Sequence, residues 1–181
     1  MADETNWPTR QNFYFGIKAG ADYPLAHSQF LNDTGREKSL IGSTGGVFAG
    51  YDINDIFALQ LELNYFATNI FVNSYGIGYY YETYQYVQVP LLLKANCFLK
   101  SKQSSLYVDL GPVFDLLFAD NLVNSTPTYE SLSGIIGLGI DSYFDRGNAV
   151  EFEIRVDRSI VNNTAVNYNP GIIYFTMGYI F

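Results

Sequence analysis

One cysteine, one histidine and one tryptophan stand in 181 residues. The lone Cys97 cannot close an intramolecular disulfide, so a disulfide framework is excluded. It reads as a small apolar side chain rather than a reactive thiol. One His and one Cys far apart in the chain do not make a transition-metal site, so neither a metal nor a cofactor is expected. Basic residues are scarce: ten Lys and Arg face eighteen Asp and Glu, for a net charge of −8. That balance argues against nucleic acid, which requires a basic footprint. It equally argues against a peripheral protein held on anionic lipid by Lys and Arg. Long apolar runs are missing as well, since no stretch approaches the roughly 18 to 20 residues of a transmembrane helix. The opening Met-Ala-Asp-Glu-Thr-Asn has no basic n-region and no apolar h-region, so it is not a signal peptide. An exported protein would be read here as its mature form behind an initiator Met.

Aromatics are abundant: sixteen Tyr and fourteen Phe, in a chain that is 48% apolar. Mean hydropathy is nevertheless +0.02, the balance of a chain whose apolar and polar residues are interleaved. Tyr, Phe, Val, Ile and Thr suit a pleated, half-buried surface, and composition therefore points to an all-β fold.

Read for period, the sequence resolves into eight segments that alternate with period two. The third is the clearest, with Phe57, Leu59, Leu61, Leu63 and Tyr65 set against Ala58, Gln60, Glu62 and Asn64. The seventh repeats the rule, with Val150, Phe152, Ile154 and Val156 against Glu151, Glu153, Arg155 and Asp157. The first runs from about Asn12 to Asp22, the second from about Ser43 to Ile53 and the fourth from about Thr83 to Phe98. The fifth alternates over Leu106–Leu116, the sixth over Ile136–Asp141, and the eighth over Ile173–Phe181. Short connections follow the second, fourth and sixth segments, at Asn54-Asp55, Lys100–Ser104 and Asp145–Asn148. Longer connections rich in Ser, Asn, Thr and Gly follow the others, near Tyr23–Ile41, Thr68–Glu82, Asp120–Glu130 and Ser159–Asn169. Short turns on one side and long loops on the other describe an eight-stranded antiparallel up-and-down transmembrane β-barrel with both termini at the periplasmic side. No linker interrupts the pattern, so residues 1–181 are expected to form one domain behind an N-terminal tail of about residues 1–11.

An eight-stranded barrel also occurs in water, where the apolar face would turn inward and line a cavity, as in a lipocalin-like carrier of a small apolar ligand. In lipid the faces invert, and closure satisfies every backbone hydrogen bond. Inversion is favoured by the large unbroken apolar faces and by glycines recurring opposite them, where a narrow interior needs small residues. The polar face also carries both signs, Lys18, Lys94 and Arg155 against Glu62, Asp109, Glu151, Glu153 and Asp157. Inside a thin barrel these charges can pair across the lumen and plug it. The alternative is an ordinary solvated face on a soluble barrel or sandwich. Tyr23, Tyr65, Phe66, Tyr79, Tyr80, Tyr81, Phe118, Tyr143 and Phe144 fall near segment ends, where rings sit at a lipid–water interface.

The ending Phe175-Thr-Met-Gly-Tyr-Ile-Phe181 is similar to the C-terminal insertion signal of outer-membrane barrels, with Phe175, Met177, Tyr179 and Phe181 in the alternating positions. More broadly, Phe15–Gly20, Gly46–Tyr51, Leu59–Tyr65 and Val87–Lys94 resemble the PorT-like outer-membrane β-barrel family of the Bacteroidota. The resemblance implies a bacterial outer-membrane, porin-like protein in contact with lipid and with the barrel insertion machinery. It implies no activity.

Catalysis has one weak candidate, an outer-membrane lipid-modifying enzyme or protease built on His27 with Asp22, Ser28, Asp33 or Glu37 nearby in sequence; nothing fixes their geometry. Gly134-Ile-Ile-Gly-Leu-Gly139 lacks the strand–turn–helix context of a phosphate loop. Sequons at Asn32, Asn124 and Asn162 read as polar loop sequence. The expectation is therefore a non-enzymatic barrel with a plugged polar lumen. Its role would be structural, or contact through its outer loops with envelope or extracellular partners, aided by the aromatics of Ser74–Tyr81.

Overall fold

The computed structural model describes residues 12–25, 36–74, 78–98, 104–120, 129–144, 148–162 and 171–181. These form nine strands: β1 Phe13–Leu25, β2 Arg36–Ser39, β3 Gly42–Asp52, β4 Phe57–Ser74, β5 Gly78–Phe98, β6 Ser104–Asp120, β7 Tyr129–Tyr143, β8 Ala149–Asn162 and β9 Gly171–Ile180. Eight of them run round the barrel in the order β4-β3-β1-β9-β8-β7-β6-β5, and β5 pairs back onto β4 to close it. Every pairing is antiparallel. The first and last strands meet at the seam, from Gly16↔Ile180 to Leu25↔Gly171. Closure gives every barrel strand a neighbour on both sides, which is what allows strands to cross hydrocarbon.

Alternation dictates the two surfaces. Along β4, Leu61 is 53% exposed and its neighbour Glu62 2%. Along β8, Phe152, Ile154 and Val156 face out while Glu151, Glu153, Arg155 and Asp157 are buried. The apolar face is thus outside and the charged face inside, the inverse of a soluble carrier, whose apolar residues would line the cavity. Glycines make the narrow interior possible: a Cβ on Gly50 would strike the Tyr14 ring, and one on Gly139 the Tyr107 ring.

Three features depart from the sequence reading. The predicted long loop Thr68–Glu82 is mostly strand, since β4 and β5 stay paired out to Ser74↔Gly78 and only residues 75–77 connect them. Its Thr, Ile, Phe, Val and Tyr content favours the pleat over a coil. The first long connection likewise contains β2, which pairs Arg36–Ser39 with Ile70–Asn73 of β4. Phe66, grouped by sequence with the interface aromatics, is fully buried inside, whereas Tyr65 and Tyr23 do face outward. Position near a segment end suggested the interface, but the pleat decides the side.

The wall has a locally unpaired stretch. Around Pro90 the β4 ladder breaks between Leu61↔Leu91 and Asn64↔Gln88, and the β6 ladder between Pro90↔Val113 and Leu93↔Leu110. Pro90 and Pro112 each lack the N–H a ladder needs. The turn between β3 and β4 is pinned by Asn54, whose Oδ1 accepts from the Ile56 and Phe57 amides at 2.9 and 2.8 Å. Asn54→Ala removes both contacts, and the expected result is a loss of about 1 kcal/mol in urea unfolding from detergent. An unchanged unfolding midpoint would show that water replaces the side chain without cost.

Candidate functional site: the charged lumen

Alternation sends every second side chain inward, and strand register brings the charged ones together. Arg155 on β8 is the centre. Its Nη1 and Nη2 donate to Glu62 Oε2 and Oε1 at 2.8 and 2.9 Å, a two-pronged pair from strands on opposite walls. Nη2 also reaches Asp109 Oδ2 at 2.7 Å, and Nε the same oxygen at 3.2 Å. Glu153 Oε1 lies 2.7 Å from Nη2. The planar guanidinium, with five N–H groups, is the side chain able to serve three carboxylates at once.

Lys18 on β1 joins the same group, donating to Glu62 and lying 3.6 Å from Glu153. Neutral side chains complete the acceptors. Gln60 Nε2 and Asn64 Nδ2 donate to Glu62 at 2.7 and 2.8 Å. The Tyr107 hydroxyl and Thr176 donate to Glu153 at 3.0 and 3.2 Å. Closer to the short turns, Lys94 pairs with Glu151 at 2.9 Å and Asp141 at 3.1 Å. Its ammonium also sits 3.5 Å from the centre of the Tyr107 ring, a cation–π contact in a desolvated place.

Apolar layers bound these charges. On the short-turn side lie Tyr14, Phe48, Ala58, Ala149 and Ile180. Outward of the charges lie Phe66, Tyr86, Leu92, Val113, Ile135, Ile172 and Tyr174, with Phe66 and Tyr86 stacked at 5.0 Å. Among these apolar residues is a second polar group without a basic partner among the described residues. There Thr68 donates to Asp22, Gln88 to Asp157, and Ser131 and Ser133 to Asp115.

Of the eight charged residues singled out by sequence, seven meet in the ion pairs. Asp157 does not; it belongs to the second polar group, with Gln88. Asp141, Gln60, Tyr107 and Asp115 were not singled out, and Asp22 was weighed only as a neighbour of His27, although alternation alone puts each on the inward face. Phe175, Met177, Tyr179 and Phe181 all face outward. Phe181 stacks on Phe15 at 5.4 Å, and its amide donates to the Phe15 carbonyl at 2.9 Å.

His27, Ser28, Asp33, Asn32 and Asn124 lie outside the described residues. So do parts of the short turns after β5 and β7. Asp22, the one catalytic candidate whose side chain is described, is bonded to Thr68 inside the barrel. No group of His, Cys, Asp and Glu able to hold a metal ion occurs among the described residues.

The family model of the outer membrane protein β-barrel domain matches residues 5–181. No curated protein matches the chain by sequence. Among solved structures, Neisserial surface protein A is similar, at 14% identity and a TM-score of 0.66, covering 94% of this chain and 96% of that one. OprG of Pseudomonas aeruginosa is similar at 13% identity and a TM-score of 0.65, covering 97% and 99%. The N-terminal β-barrel domain of OprF from the same organism follows at 15% identity and a TM-score of 0.56, covering 94% and 98%. At these identities the likeness is one of fold.

Proposed function

The chain belongs to the outer membrane protein β-barrel domain family, a barrel of the bacterial outer membrane, and on that premise we propose that it is a non-enzymatic barrel with a closed lumen. Its outer segments serve a structural role or meet envelope or extracellular proteins. One observation carries the reading: Lys18, Lys94 and Arg155 are each tied to carboxylates of other strands, between two apolar layers. A lumen crossed by such pairs has no continuous water path for a solute. The outward-facing terminal set Phe175, Met177, Tyr179 and Phe181 supports recognition by the barrel insertion machinery. The PorT-like motifs in β1, β3, β4 and β5 support descent from that branch of the family.

Conductance in planar bilayers tests the closed lumen. The refolded wild-type chain is expected to give no stable channel above the bare-membrane background. A large, long-lived conductance would refute the plug.

A further inference from the structure

We propose that the second polar group, built on Asp22, Asp115 and Asp157, is a binding site for a small guanidinium compound that enters from the outer end of the barrel. Each carboxylate gives one oxygen to the protein. Asp22 Oδ2 accepts from Thr68 at 2.6 Å and Asp157 Oδ2 from Gln88 at 2.6 Å. Asp115 Oδ2 accepts from Ser131 and Ser133 at 3.0 and 2.5 Å. The other oxygen of each, Oδ1, is buried with no partner among the described residues. The three converge: the Tyr86 hydroxyl, 3.4 Å from Thr68 Oγ1, lies in the field of all of them.

Two neutral side chains point to the same ligand. Gln88 is 1% exposed; its amide nitrogen is held by Asp157, and its carbonyl Oε1 has no partner among the described residues. Tyr174, also 1% exposed, stands opposite Asp22 in the β1–β9 ladder and in the field of Asp157, and its hydroxyl is unpartnered as well. The three Oδ1 atoms and Oε1 only accept hydrogen bonds, so their complement is a cation rich in N–H groups. Asp115 and Ser131 are half-buried near the outer ends of β6 and β7, and theirs is the side by which a solute enters.

The chain brings no cation of its own to these oxygens. Lys18, Lys94 and Arg155 are held by the inner carboxylates, and Arg158 is exposed on the outer surface. Residues 26–35, 75–77, 121–128 and 163–170, which join the outer strand ends, contain no Lys or Arg, and His27 is their one imidazole. Arg10, Lys100, Lys102 and Arg146 stand in sequence before β1 or between the strands joined by short turns. Arg36 and Lys38 of β2 are in register with Asn73 and Phe71, further out along β4 than Thr68. Buried carboxylates left ionised without a counter-charge are strongly unfavourable.

The inner group shows why the cation is a guanidinium. No set of His, Cys, Asp and Glu among the described residues is able to hold a metal ion, yet Glu62, Asp109 and Glu153 are all bridged by Arg155. A planar group with N–H on every side reaches acceptors set too widely for a bare ion. The second group repeats that make-up, three carboxylates with neutral donors around them, and lacks only the arginine. It lies outward of the plug and does not depend on it.

The test titrates the full chain in lipid nanodiscs with methylguanidinium, by calorimetry in mildly alkaline buffer at constant ionic strength. Methylammonium and sodium are the comparison cations. Binding of one methylguanidinium per barrel is expected, with a dissociation constant of about 1 mM or tighter. Methylammonium should bind about tenfold or more weakly, because it cannot bridge the acceptors. Asp157→Asn and Asp115→Asn, each first checked for heat-modifiable gel mobility, should weaken binding about tenfold or more. Asp115 is half-buried, which keeps a folded variant available should Asp157→Asn fail to refold. His27→Ala should bind as wild type does. No binding to the wild-type chain would overturn the proposal, since the carboxyl groups would then hold protons instead. Equal binding of sodium, or unchanged binding in either folded Asp variant, would overturn it as a diffuse attraction of cations. Tighter binding by His27→Ala would overturn it too, because the imidazole would already fill the place. A conducting lumen would refute the plug without touching these outcomes.

Discussion

Arg155→Ala is expected to cost the barrel about 3–5 kcal/mol, the range for removing one partner of a buried ion pair. The loss has a specific origin. Arg155 and Lys18 serve Glu62, Asp109 and Glu153 between them. Without the guanidinium, Asp109 loses its contacts with Nε and Nη2, and Glu62 keeps only Lys18, Gln60 and Asn64. In the closed lumen proposed above, carboxylates left without the guanidinium cannot recover their water, so most of their desolvation cost reappears as lost stability. Urea unfolding from detergent, followed by gel mobility with and without boiling, reads the effect. Arg155→Lys should fall between wild type and Ala, because a single ammonium cannot make the two-pronged contact with Glu62. The combination Arg155→Met, Glu62→Gln, Asp109→Asn should recover most of the loss, since replacing a whole buried ionic group is often close to neutral. An Arg155→Ala unfolding free energy unchanged within about 0.5 kcal/mol would mean that these charges are hydrated and the lumen is wet.

How far this site could be read in advance depended on what pattern encodes. The pleat fixes side, and period-two alternation in Phe57–Tyr65 and Val150–Asp157 was enough to put Glu62 and Arg155 on one face. It could not pair them: they stand 93 residues apart, and their meeting depends on the shear with which β4 and β8 are staggered round the barrel. Asp157 shows the limit from the other direction. It has the same parity as Arg155 but lies one inward step further along β8, in register with Ile135 and Ile172 of the apolar cluster, where Gln88 is its partner. Loop prediction failed at Thr68–Glu82 because Ser, Asn and Gly were counted as loop formers while the Ile, Phe, Val and Tyr among them kept the hairpin paired. Phe66 was misplaced by weighing its nearness to a segment end above its parity, and parity was the stronger physical constraint.

The strand seam gives the second large effect, and its sign is fixed by space alone. Gly20 of β1 stands opposite Thr176 of β9, where the ends of the chain close the barrel. A Cβ there would overlap the backbone oxygen of Phe175, and backbone in a hydrogen-bonded ladder cannot swing aside as a flexible side chain does. Gly20→Ala is therefore expected to destabilise by at least about 3 kcal/mol, the upper end of the cost of overpacking. That outweighs the roughly 0.4–1 kcal/mol a Gly-to-Ala change gains by restricting the unfolded chain. Gly45→Ala in β3 is the matched control, because its Cβ would meet only the Lys18 carbonyl, at an ordinary 3.5 Å. That substitution should leave the unfolding midpoint unchanged or raise it slightly. Both variants are to be refolded into detergent and compared by the fraction of heat-modifiable protein and by the urea midpoint. Equal behaviour would mean that β1 and β9 are further apart than their register implies. A collapse confined to Gly20→Ala would establish that closure at this seam needs a residue without a side chain.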